Sequence, residues 1–228
     1  MTANDLETPG SPEDLYLARG PEADELRERP VFTGDLIQLA STGGPICVLQ
    51  HPCAFRNGSK LVNRILVGDV AEVSDIPKDW STGHFKAMFL PDIEGENTKA
   101  VRVKFQDIQI LTPQQLDEGE RIAILSAYGV NLLLQRWIHH NARIVVPTSR
   151  LETSTAGPFD EADLVGDSVP DLLDKGMSAA EALSWVESWL SQAHGGTGYS
   201  RREALTSRQT AGSVRAELRR AIAATERT

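Results

Sequence analysis

The chain has 228 residues and a mass of 24.9 kDa, with 40% hydrophobic residues and a net charge of −9. That length builds one decorated domain or two small ones, and the apolar share is enough for a real core. The charge excludes the broad basic face of a protein that grips duplex DNA, and two cysteines, Cys47 and Cys53, exclude a secreted disulfide framework.

Residues 1–30 carry eight acids against three arginines, net −5, and read as an acidic flexible arm. The opening MTANDLETPG lacks the basic-then-apolar order of a secretory signal. No run of eighteen apolar residues predicts a membrane span, so cytoplasmic residence is the expectation.

From Val31 the texture changes to short apolar runs separated by Gly, Asn and Pro turns. VFTGDLIQLA, ICVLQ, LVNRILVGDV, HFKAMFLPDI and AVRVKFQDIQIL are five strand candidates. The turns are STGGP, RNGSK and EGENTK. In the last strand Val101, Val103 and Phe105 alternate with Arg102 and Lys104, the mark of a half-buried antiparallel strand. There is no room between these strands for crossover helices, so they must curl against one another. The expectation is a mainly β core, a small SH3-like antiparallel barrel, with added α-helices: α+β overall.

Thr112 and Pro113 suit a helix start, and a helix is expected over roughly Glu118 to His140, weakened in the middle by Gly129. ARIVVP reads as a final strand. The barrel with its packed helix is therefore assigned to 31–147. Residues 148–176 are rich in breakers and read as a polar connector. A helical C-terminal extension follows over 177–228, opened by a capping box of Ser178 and Glu181. Val214, Leu218 and Ile222 recur every four residues there.

The stretch HPCAFR is the first candidate for chemistry. His51, Cys53 and Arg56 follow a buried-looking strand within six residues, as either a reactive centre or the end of that strand. A cysteine nucleophile needs a base or cation beside it. The other histidines, His84, His139, His140 and His194, show no ligand spacing, so no metal and no cofactor are expected. Adjacent His139 and His140 do not share a helix face and suit a helix C-terminus. Trp185 and Trp189, four apart on a helix, read first as core packing and second as a partner surface, and with the basic residues Arg215, Arg219 and Arg220 they are the candidates for binding a partner.

Gly34–Asp35, then Gly44-Pro45-Ile46-Cys47-Val48-Leu49-Gln50, then Val101 to Ile108 and Leu116 together resemble the bacterial MazF/PemK toxin family over residues 31–116. The resemblance implies an SH3-like barrel and cleavage of single-stranded RNA. In that family an arginine before the proline steadies charge on the phosphate; Gly44 stands there in this chain. Arg56 or Arg64 would have to take its place, because a phosphodiester reaction needs a cation where negative charge develops.

The function expected is a non-catalytic binding or regulatory module acting in a protein complex. The alternatives are a MazF/PemK-like, toxin–antitoxin-like endoribonuclease and a structural subunit of a phage or defence assembly. Whether the chain is an enzyme stays open. A protein partner or self-association is expected, RNA comes second, and neither duplex DNA nor a membrane is expected.

Overall fold

The structure, a computed structural model, describes residues 6–40, 44–57, 60–95, 99–195 and 198–225. Residues 41–43, 58–59 and 96–98, within the turns read in STGGP, RNGSK and EGENTK, lie outside the described residues. The chain forms two compact units. One comprises residues 1–26, 32–57 and 61–155; the other comprises 27–31, 58–60 and 156–228.

The first unit is built on a curled antiparallel sheet of seven strands, half of a barrel, and the mainly β core with added helices is present as expected. Its strands are β1 (Tyr16–Arg19), β2 (Asp35–Gln38), β3 (Pro45–Val48), β6 (Ile65–Val73), β7 (Ala87–Leu90), β8 (Ala100–Leu111) and β9 (Glu120–Leu125). Two-residue strands β4 (Arg56–Asn57) and β5 (Lys60–Leu61) pair separately. The sheet order is β1-β9-β2-β3-β6-β8-β7, so β1 and β7 form its edges. All five expected strand segments contribute. Val48, Val67, Val103 and Phe105 are buried, as period-two burial requires.

Three expectations fail here. The acidic arm is not wholly loose. Tyr16–Arg19 pairs with β9, and helix α1 (Pro21–Glu25) follows. Arg19 reaches the Asp92 carboxylate at 2.8 Å, so part of the arm's charge is matched within the sheet unit. The helix expected from Glu118 is a strand first: Glu120–Leu125 forms β9 between β1 and β2. Only then does Ser126 cap α4 (Ala127–Ala142), its hydroxyl accepting the Gly129 N–H at 3.0 Å. ARIVVP forms no strand. Arg143 takes a left-handed conformation (φ 57°) that ends α4, and the chain runs on to Pro147 without a ladder. Between β8 and β9 lies α3 (Pro113–Asp117), capped by Thr112 as read; a single turn, α2 (Pro52–Phe55), follows β3.

The supposed connector is helix α5 (Thr148–Leu173). Its breakers, Pro158 and Pro170, each cost a helix about 3 kcal/mol, which is why composition argues against it. Burial overrides that cost. Leu151, Thr155, Phe159, Ala162, Val165, Val169 and Leu172 recur at three- and four-residue spacing along one buried stripe. Gly157 has its own reason, since a Cβ there would stand 2.7 Å from Thr206 Cγ2.

The second unit is helical. The later part of α5 packs with α6 (Ala179–Leu190), α7 (Arg201–Leu205) and α8 (Arg208–Ala224) around Leu164, Val186, Leu190, Val214, Leu218 and Ile222. Ser178 and Glu181 make the capping box expected of them, and Ser200 and Glu203 make a second. Among the described residues no helix is long and apolar enough to cross a membrane.

Candidate functional site

The loop after β3 places His51 and Cys53 beside a residue the sequence did not point to, Ser154 of α5. His51 Nδ1 accepts the Cys53 N–H at 3.3 Å, so the imidazole caps α2. Its Nε2 lies 3.1 Å from Ser154 Oγ. That hydroxyl already donates to the Leu151 carbonyl at 2.9 Å and must accept from Nε2–H. The imidazole is therefore held neutral with its proton on Nε2. A base for Ser154 needs the lone pair on that atom, so the constellation has the wrong tautomer for a serine–histidine dyad. Burial lowers the His51 pKa, in keeping with the neutral form. The Cys53 thiol points to the Ser154 carbonyl at 3.8 Å, an acceptor and not an activating cation.

The other candidates are held elsewhere by their own neighbours. The Arg56 guanidinium lies 5.7 Å from the Phe32 ring centroid, and Arg64 is exposed before β6. His84 Nε2 is 3.6 Å from Asp79 and its ring meets Phe89 edge-on. His139 Nδ1 lies 3.4 Å from the Ile144 carbonyl, and His140 stacks on Trp137 and meets the Phe85 carbonyl. Both sit in the last turn of α4, where cations are favoured. Cys47 is a buried core residue whose thiol burial pushes far up. Among the described residues no group of three or more His, Cys, Asp and Glu side chains could hold a metal ion.

In the helical unit Trp189 is buried, with the Arg201 guanidinium 4.3 Å over its ring, and Trp185 packs half-buried against the same core. Arg215 pairs with Asp160 at 2.9 Å. Arg219 and Arg220 are exposed, and Arg220 Nε bonds its own helix at Ala216.

The feature sequence reasoning missed is on β8. Val70 faces Val103 and Gly68 faces Ile108, so Lys104 to Asp107 bulge opposite Asp69 alone. Five steps on β8 answer two on β6, and the odd difference turns the even-numbered Ile108 and Ile110 onto the face that carries Val103 and Val70. There the face is open: Ile108 is 48% exposed and Ile110 61%. Leu66, opposite Ile110, is half-buried. The signal was legible, since the apolar positions switch from odd (101, 103, 105) to even (108, 110) in the sequence.

The backbone is open as well. Leu66 turns both of its main-chain groups away from β8: its N–H goes to Gln50 Oε1 at 2.9 Å and its carbonyl to the Leu49 N–H at 3.1 Å. Opposed residues of an antiparallel ladder point both toward each other or both away. Ile110, and Ile108 two residues before it, therefore aim their N–H and C=O groups outward. β7 covers β8 only from Val101 to Lys104, with one further bond from the Phe105 N–H to the Lys86 carbonyl. No family model matches the chain, and no curated protein is significantly similar to it.

Proposed function

We propose that the chain is a non-catalytic binding module of a protein complex, and that it takes an extended protein segment onto the open edge of β8. The supporting observation is the coincidence at Ile108 and Ile110 of outward main-chain donors and acceptors with apolar side chains left uncovered on a core-bearing face. An open edge of this kind pairs with another strand, with the main chain supplying affinity and alternate side chains supplying selectivity. The His51 constellation is the cap of a turn in this reading, with no part in chemistry.

The test is selection of displayed ten-residue peptides on the immobilised full chain, followed by titration of the winners. Enriched peptides with apolar residues at alternate positions, whose binding falls at least tenfold on Ile110→Lys, support the proposal. Binding indifferent to Ile110→Lys, or no enrichment at all, overturns it.

A further inference from the structure

We infer that the segment received by this edge is β8 of a second copy of the chain, running antiparallel about a twofold axis at Gln109, with Ile108 of each copy opposite Ile110 of the other. The inference rests on the edge being the recognition surface, and the geometry of the edge restricts what can lie on it.

Ile108 and Ile110 point their main-chain groups outward, whereas Gln109 points its own toward Val67 on β6. Even-numbered residues must therefore face even-numbered ones. Two registers of β8 on itself remain near the centre of the free stretch. If Ile108 faces Ile108, Leu111 of the second copy comes against Phe105, whose N–H already serves the Lys86 carbonyl at 3.0 Å. That register also sets Ile110 against Gln106, apolar on polar. If Ile108 faces Ile110, the ladder ends with Asp107 opposite Leu111 and stops short of β7.

The second register is self-complementary throughout. It joins isoleucine to isoleucine twice, and each of these pairs exchanges two main-chain hydrogen bonds. Gln109 meets Gln109. The one charged residue in the stretch, Asp107, faces no like charge and is already paired with Lys104 at 2.9 Å. The strand also ends where the second copy's must: Leu111 closes β8, and Thr112 and Pro113 turn into α3. The contact is isologous and closes on itself, so it yields a dimer and no fibre. Each copy carries a net charge of −9, so the long-range repulsion is screened, and the pairing strengthened, as salt is raised.

Sedimentation equilibrium of the full chain over rising concentration is the first measurement. A mass moving from 24.9 kDa toward twice that value, and held at one chain by Ile110→Lys, is the expected result. The register is read by cross-linking in a Cys53→Ser background, since Cys53 is exposed. Gln109→Cys sits in a non-hydrogen-bonded pair with its mate, about 4.5 Å between Cα atoms, and oxidises to a covalent dimer. Ile108→Cys is offset from its mate by two residues and does not. The Ile110→Lys chain keeps its far-ultraviolet circular dichroism, because that side chain is 61% exposed. A chain of unchanging single mass, or a dimer that ignores Ile110→Lys and gives no Gln109→Cys cross-link, overturns the second copy as occupant. If that monomeric chain still binds the selected peptides through Ile110, the edge reading stands alone; if it binds none, both fall.

Discussion

The two units treat buried charge differently. In the helical unit the cations drawn inward meet carboxylates. Arg29, 2% exposed, holds Asp163 at 2.8 Å, and Arg202 bridges Glu161 at 3.1 Å and Glu187 at 2.8 Å. Burial pulls the Arg202 pKa down, but the two glutamates outweigh it and raise it. The sheet unit has matched pairs too, yet it also sinks Arg136, 1% exposed, with a hydrogen bond to the Ser81 carbonyl and, among the described residues, no partner for its Nε and Nη1. Burial lowers that guanidinium's pKa to about 10. The helical unit sets Arg29 and Arg202 against carboxylates, whereas the sheet unit buries Arg136 with no carboxylate paired to it among the described residues and leaves an edge open outside. The lesson is that stability and availability for partners are distributed unevenly along one chain.

The contrast is broken most sharply by Arg202→Ala. It strands Glu161, whose side chain is only 10% exposed, and is expected to cost about 3 kcal/mol in urea unfolding followed by circular dichroism. A near-neutral result would show that the helical unit does not depend on its pairs. Gly129→Ala comes next. Helix propensity alone predicts a gain of about 1 kcal/mol. A Cβ there, however, would stand 2.2 Å from the Leu15 carbonyl oxygen, so a net loss of about 2 kcal/mol is expected. A stabilised variant would mean that the chain at Leu15, just before β1, yields easily.

Arg136→Met should move the other way. Removing a buried, unmatched charge while keeping most of its apolar length is expected to gain about 1 kcal/mol, and a loss would show that the cation is compensated in solution.

The smallest effect is in acid. Burial pushes the Glu7 carboxyl up, but hydrogen bonds from the Thr148 side chain and N–H and from Gln135 outweigh it and hold its pKa below 4.5. Its contribution is therefore present above pH 4.5 and is lost as the pH falls through the lower folded-state value. Comparing the wild-type chain with Glu7→Gln between pH 6 and 3 should show the difference in unfolding midpoint shrinking across that window; a constant difference refutes the assignment.

Much of the sheet was legible. Alternation in Val101 to Phe105 and the compact run Ile46 to Val48 announce strands because a pleated ribbon has a two-residue period, whatever surrounds it. β9 was hidden inside an apparent helix, since Ile122 and Leu125 fit a helical spacing as well as a strand. α5 was hidden by two prolines whose local penalty outweighs any pattern visible in a short window. The candidate site was half legible. His51 and Cys53 lie side by side, but the imidazole's tautomer is held jointly by the Cys53 N–H and by Ser154, about a hundred residues away. The parity switch between Phe105 and Ile108 was in plain view, yet its meaning depends on which residues of β6 it faces.

Local chemistry thus determined the strands, the caps at Thr112, Ser178 and Ser200, and the α+β class, because backbone periodicity and capping act within a few residues. Tertiary structure alone decided that Arg136 lies buried and that Ile108 and Ile110 stand open at an edge. Burial and register are relations between distant segments, and no single segment contains them.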